Sequence, residues 1–127
     1  MSSEIEKELK MAYINAQETA QIRNALKAAF PTIKFSVRKE HSMSLHVSVL
    51  KGDLDLENGQ INQYYLDDTS HPEFWKQILD IIKNGSDRKW FDESDSQTDY
   101  FHIAFYIHLR VGEWNKPYIN TNLKLAA

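Results

Sequence analysis

Three histidines are the residues of this chain whose chemistry is most suggestive. His46, His102 and His108 occupy outward positions in segments whose apolar residues alternate. Imidazole is a common metal ligand, and His46 could approach one of the other two if the strands that carry them are neighbours. His102 and His108 are six residues apart, about 20 Å along an extended strand, so one ion cannot bind both. We therefore expect solvated histidines on a sheet face, with no metal and no other cofactor.

A second candidate for cation binding is an acidic segment late in the chain. Its residues are Asp92, Glu93, Asp95 and Asp99. Divalent ions such as calcium bind several carboxylate oxygens, but the segment lacks the regular ligand spacing and the glycine of a calcium loop. A solvated loop, or the cap of a short helical turn at Ser94 or Asp95, is the simpler interpretation. We expect Trp90 and Phe91 to pin this loop to the core.

Motifs for covalent and nucleotide chemistry are absent from the sequence. There is no Gly-x-Ser-x-Gly pattern, and the four glycines are too scattered for a Walker or dinucleotide fingerprint. The cysteine count of zero excludes thiol nucleophiles, disulfides and zinc–thiolate sites. Catalysis is the weaker expectation, and a metal-dependent enzyme using His46 or the carboxylates of the acidic segment is only the third functional hypothesis.

Positive charge collects on the outward positions of the predicted strands. The candidate binding face consists of Lys34, Arg38, His46, His102, Tyr106, His108 and Arg110. We expect no carboxylate among these outward residues. Residues 1–51 carry a net charge of +3 and residues 52–127 one of −6. The face could bind a protein or single-stranded nucleic acid, or it could be solvated, or covered by the N-terminal helix or a second subunit.

Helices and strands that position these residues can be read from the periodicity. Residues 3–29 favour one long helix, or two helices broken near Asn15. Alternating apolar residues then predict two strands, around 33–37 and 45–49, and their short connection predicts an antiparallel hairpin. Residues 51–69 look rich in loops, with a short strand near 61–66.

The second half of the chain contains a helix and a strand with clear boundaries. Residues 70–73 match a capping box, a helix is predicted over 71–84, and Gly85 is expected to end it in the left-handed conformation. Apolar alternation over 101–111 predicts a long central strand that Gly112 ends. We expect Trp114 to anchor the exit from this strand.

Together these elements predict a two-layer α+β fold, with helices packed on one face of a small antiparallel sheet in the order α-β-β-α-β. The pairing order of the strands is not determined. The 127 residues, 42% of them apolar, fit one domain with its core at about 16–119 and with a peripheral N-terminal helix extension and C-terminal tail. No secretion signal or membrane span is visible, so we expect a cytoplasmic protein with no membrane partner.

Three blocks of the sequence resemble a known family. They are Ile22–Arg38, Asp95–Phe101 and Gly112–Pro117. The chain is similar, over most of residues 19–119, to the small domain associated with the large polyvalent proteins of phages and conjugative plasmids. The resemblance implies an accessory protein of a mobile element, acting in the bacterial cytoplasm, and it supplies no catalytic residues.

The leading functional hypothesis is therefore a non-enzymatic protein-interaction module whose partner is a host or mobile-element protein. It would use either the basic sheet face or the acidic segment. Nucleic-acid binding through the same face is the alternative. A net charge of −3 excludes an overall electrostatic attraction of the whole molecule to nucleic acid. The oligomeric state is not determined by the sequence.

Overall fold

The architecture is taken from a computed structural model, which describes residues 12–92 and 103–121. Two α-helices, five strands and one short 3₁₀ helix lie in this part of the chain. In order they are α1 (Ala16–Ala29), β1 (Lys34–Glu40), β2 (Ser44–Gly52), β3 (Gly59–Ile61), the 3₁₀ helix Leu66–Asp68, α2 (Pro72–Asn84), β4 (Tyr106–Val111) and β5 (Ile119–Asn120).

The five strands form one mixed sheet. Its order is β1-β2-β4-β3, and β5 pairs with the end of β2. The β1–β2 hairpin and the β3–β4 pair are antiparallel, whereas β4 and β5 run parallel to β2. The predicted α+β class and the order α-β-β-α-β are confirmed. The parallel central pair follows from the long connection through α2, which returns the chain in the direction of β2.

Both helices pack on the same face of the sheet. Helix α1 contributes Ile22 and Leu26, and α2 contributes an apolar stripe that includes Trp75 and Ile78. The sheet meets them with the alternate side chains of its three long strands, and these are fully or almost fully buried. They are Val37, Leu45, Val47, Val49, Ile107, Leu109 and Val111. The opposite face of the sheet, which we call the outer face, has no helix over it among the described residues.

Helix α1 begins after Asn15, the residue at which the sequence predicted a possible break. The Asn15 side chain accepts a hydrogen bond from the Glu18 amide at 2.7 Å, and the Glu18 carboxylate accepts one from the Asn15 amide at 3.4 Å. This capping box satisfies two amides that the first helical turn leaves without partners. Residues 12–15 of the predicted helix are not helical, and residues 1–11 lie outside the described residues.

Helix α2 confirms the predicted span but not the predicted caps. Its N-cap is His71, no side chain caps it, and Pro72 takes the first turn. The capping box at Ser70 is therefore wrong, because the helix begins one residue too late for it. Gly85 has φ −82°, so the expected left-handed conformation is also wrong. Its lack of a side chain instead allows close packing, since a Cβ would lie 2.5 Å from the Ile81 carbonyl oxygen.

The strand predicted over 101–111 is shorter than expected. Strand β4 begins at Tyr106, and both Ala104 and Phe105 are buried, which breaks the predicted alternation. The Trp90 indole donates to the Phe105 carbonyl at 2.7 Å, and the Ala104 amide donates to the Phe91 carbonyl at 2.9 Å. The segment before β4 is thus joined by hydrogen bonds to residues 90–91 rather than to the sheet. Trp90 and Phe91 pack against the core, but residues 93–99 of the acidic loop they were expected to pin lie outside the described residues.

Strand β3 also differs from its prediction, because it ends at Ile61 instead of extending to residue 66. The Asn62 side chain accepts a hydrogen bond from the Tyr64 amide at 2.9 Å, which turns the chain immediately after the strand. Within the described residues, no helix has both the length and the apolarity needed to cross a membrane.

Candidate binding groove

Strand pairing brings three of the predicted face residues into one row. Arg38 on β1 pairs with His46 on β2, and His46 pairs with His108 on β4. Because residues at paired positions of neighbouring strands point to the same face, their side chains lie side by side on the outer face. Arg110 lies one step along β4, opposite Ser48 and beside Gln60 of β3.

These side chains line a groove of about 370 Å³ on the outer face. We call it the histidine groove and define it by Arg38, His46, His108, Arg110 and Trp114. The other residues that line it are Ser48, Gln60, Leu109, Glu113 and Asn115. Four of the seven predicted face residues therefore meet at one site.

The two groove histidines stack on each other. Their ring centroids are 4.6 Å apart and the rings are inclined by 16°. Burial is the main cause that lowers the pKa of His46, the charge of His108 is the next, and Arg38 adds to them, while Glu40 opposes the shift. The His46 ring is consequently neutral at neutral pH and offers one donor and one acceptor nitrogen.

A carboxylate sits on this face, contrary to the expectation from the sequence. Strand β1 continues to Glu40, two residues beyond Arg38 and therefore on the same face. The Glu40 carboxylate lies 3.0 Å from His46 Nε2, 3.4 Å from His41 Nε2 and 3.8 Å from an Arg38 nitrogen. Glu113 adds a second carboxylate to the groove lining. The groove thus carries mixed charge, because Arg38 and Arg110 are accompanied by Glu113 in the lining and by Glu40 beside it.

Trp114 is exposed, so its predicted role as an anchor is wrong. The side chain is 92% exposed at the rim of the groove. Gly112 ends β4 with φ +72°, a conformation that suits glycine, and the backbones of Glu113 and Lys116 then exchange two hydrogen bonds of 2.8 and 3.0 Å. This tight turn holds Trp114 at its tip, beside the arginines and not in the core.

Three further predicted site residues that the structure describes do not line the groove. Lys34 lies at the other end of β1, and Tyr106 is 41% exposed at the start of β4. Asp92 is exposed and forms a bridge with Ile103. Four predicted residues, His102, Glu93, Asp95 and Asp99, lie outside the described residues. In the described part of the chain, no three His, Cys, Asp or Glu side chains are grouped so that they could hold a metal ion.

Sequence reasoning missed several groove residues, and one of them had a visible signal. Extending the alternation of β1 by one step from Arg38 reaches Glu40. Gln60 and Glu113 had no such signal, because they join the groove only through the pairing of β3 with β4 and the turn after Gly112.

A comparison with protein-family models finds a family match for most of the chain. Residues 13–111 match the model of large polyvalent protein associated domain 29. The chain belongs to this family. The membership links it to the large polyvalent proteins associated with phages and plasmids, as the resemblance implied. No curated protein and no solved structure matches the chain.

The match to domain 29 includes the strands that carry four of the five residues defining the histidine groove. Trp114 lies beyond its last matched residue. The arginines and histidines thus lie within the family unit, whereas the exposed tryptophan lies on a turn that follows it.

Proposed function

We propose that this domain 29 protein is a non-enzymatic binding module that holds an acidic segment of a protein partner in the histidine groove. The partner would be a host or mobile-element protein of the bacterial cytoplasm. The observation that carries the proposal is the placement of Arg38 and Arg110 around the stacked histidines, with an uncovered Trp114 at the rim.

The residue types in the groove favour a protein as the partner. Tryptophan and arginine are the residues most enriched among those that dominate binding energy at protein interfaces. Trp114 exposes nearly all of its surface, and covering it would remove a large apolar area from water. Arginine presents a planar fork of donors that can bind a carboxylate with two parallel hydrogen bonds.

The carboxylates of the groove argue against nucleic acid as its ligand. Glu40 and Glu113 would repel a chain that carries a phosphate at every nucleotide. A protein segment can place its own carboxylates against Arg38 and Arg110 and put neutral or basic residues beside Glu40 and Glu113. Complementary charge of this kind contributes to partner choice and to the association rate.

The test is affinity capture of the tagged protein from a bacterial lysate, with and without nuclease, read by mass spectrometry. Three baits are compared: the unchanged protein, Trp114→Ala and Tyr64→Ala. Tyr64 is a matched control because its side chain is 74% exposed on the segment after β3, outside the groove. We expect a protein that survives nuclease and is retained by Tyr64→Ala, but is depleted by Trp114→Ala.

The expected loss can be measured with the captured protein once it is purified. Removing a tryptophan that dominates an interface costs about 2 kcal/mol or more, which raises Kd about 30-fold. The free energy of unfolding should change by less than about 0.5 kcal/mol because the side chain is exposed. Equal binding by Trp114→Ala and Tyr64→Ala, or capture that disappears with nuclease, would contradict the proposal.

A further inference from the structure

A second group of cations lies at the end of the sheet where β1 begins and β2 ends. We call it the lysine cluster, and its members are Arg23, Lys27, Lys34, Lys51 and Lys116. They line two adjoining clefts of about 410 and 500 Å³ that share Lys34 and Lys51. Neither cleft contains any of the five residues that define the histidine groove.

Four separate parts of the chain build the lysine cluster. Arg23 and Lys27 are four residues apart on α1, so they share one face of the helix. Lys34 and Lys51 are paired across β1 and β2, and Lys116 comes from the turn after β4. Arg23 is held in place because its guanidinium donates to the Val37 carbonyl at 2.6 Å. The two clefts that they line meet at Lys34 and Lys51.

The clefts of the lysine cluster contain no balancing negative charge from the described part of the chain. None of the described carboxylates lines either cleft. Among the ion pairs formed by the described residues, none includes any of the five cations. Like charges on directly paired strand positions, as at Lys34 and Lys51, are destabilising. A bound anion would remove that repulsion.

We infer that the lysine cluster binds the phosphate backbone of duplex nucleic acid without regard to sequence. Lysine and arginine both neutralise phosphates, lysine as a point charge and arginine through its planar fork of donors, and five of them in adjoining clefts can contact successive phosphates. Among the described residues, one aromatic lines the clefts, Phe35, and it is partly buried and packed against Phe30. The clefts thus offer no exposed ring on which unpaired bases could stack, which favours a duplex over a single strand. Their concave shape suits a rounded backbone better than a flat lipid surface. The inference is independent of protein binding in the histidine groove.

The salt dependence of DNA affinity tests this inference directly. Each phosphate contact adds about −0.9 to the slope of log K against log salt, so five contacts predict about −4.5. Affinity for a short fluorescein-labelled DNA duplex, measured by anisotropy, should therefore fall about 500-fold between about 50 and 200 mM salt. In the variant Lys34→Gln/Lys51→Gln/Lys116→Gln, the slope should shrink to about −1.8 and the fall to about 12-fold.

A matched control separates the lysine cluster from the net charge. The variant Lys39→Gln/Lys76→Gln/Lys89→Gln removes three exposed lysines that line neither cleft, so it changes the net charge equally. We expect it to keep the slope of the unchanged protein. The inference is overturned if both variants lose the same amount of salt slope, or if the cluster variant keeps the slope of the unchanged protein. It is also overturned if the protein binds no duplex at low salt, or if it binds phosphatidylserine vesicles in place of DNA.

Discussion

The histidine groove and the lysine cluster both contain fixed positive charges and both adjoin the same sheet, yet they differ in the residues that accompany those charges. The groove lining includes Glu113 and an exposed tryptophan, and Glu40 lies beside it, next to Arg38 and His46. Among the described residues, the clefts of the lysine cluster are lined by no carboxylate and by no exposed aromatic. The number of positive charges alone therefore does not predict the ligand. Carboxylates interspersed among the cations favour a patterned partner, and their absence favours a uniform polyanion.

Removing the groove arginines should have the largest effect on this comparison. In Arg38→Gln/Arg110→Gln, each side chain loses a charge-assisted hydrogen bond to the partner's carboxylates. We expect a combined loss of about 3 kcal/mol, more than 100-fold in Kd for the captured protein, by isothermal titration calorimetry. The salt slope of DNA affinity should not change.

The control for the arginine variant is Lys39→Gln/Lys89→Gln, which removes two exposed cations that line neither site. It should bind the partner as the unchanged protein does. If the arginine variant also loses salt slope with DNA, the groove and the lysine cluster form one continuous surface, and the distinction between them fails.

Removing the carboxylates in and beside the groove should make the groove bind DNA more as the lysine cluster does. In Glu40→Gln/Glu113→Gln, Arg38 loses its ion-pair partner and the groove lining loses its carboxylate, so both arginines become more available to phosphates. We expect the salt slope of DNA affinity to steepen by up to about 1.8, two further contacts, in the anisotropy assay. The matched pair Glu57→Gln/Glu73→Gln removes two exposed carboxylates elsewhere and should leave the slope as it was. An unchanged slope in both pairs would show that the carboxylates do not set the difference.

The histidine groove could be predicted further from sequence than the lysine cluster. Alternation with a period of two fixes which residues share a face, and this placed Arg38, His46, His108 and Arg110 on the outer side. Their convergence needed one additional fact, that β4 lies beside β2. This neighbourhood is the condition on which His46 was expected to approach another histidine. The sequence could not establish it, because several strand orders bury the same apolar side chains.

Features that depend on contacts between distant segments could not be predicted. Local alternation assigned Ala104 to the outer side, but hydrogen bonds with residues 90–91 override it. Trp114 was expected to anchor the exit from the strand, but the turn after Gly112 directs it to solvent. The lysine cluster combines residues from four segments whose proximity exists only in the fold. Sequence periodicity describes one helix or strand at a time, whereas such a cluster is built from several of them.

The smallest expected effect is a change of stability with pH, and it should involve the histidine groove but not the lysine cluster. Burial lowers the pKa of His46 from its usual 6.5 in the folded protein, with His108 and Arg38 acting in the same direction and Glu40 opposing them. The unfolded chain therefore binds a proton at His46 more readily than the folded chain does. By linkage, this contribution to stability is present above about pH 7 and is lost as the pH falls through 6.5 toward the lowered pKa.

In His46→Gln, which cannot titrate, the urea midpoint should fall less between about pH 7.5 and 5 than in the unchanged protein. The control is His41→Gln, because the His41 ring also lies beside Glu40 but is 83% exposed. The urea midpoint of this variant should fall with pH as much as that of the unchanged protein. The lysine cluster contains no histidine, so duplex affinity should hold over the same pH window. If His46→Gln and His41→Gln lose stability in parallel, burial in the groove does not control the protonation of His46. If duplex affinity changes with His46, the two sites are electrostatically coupled.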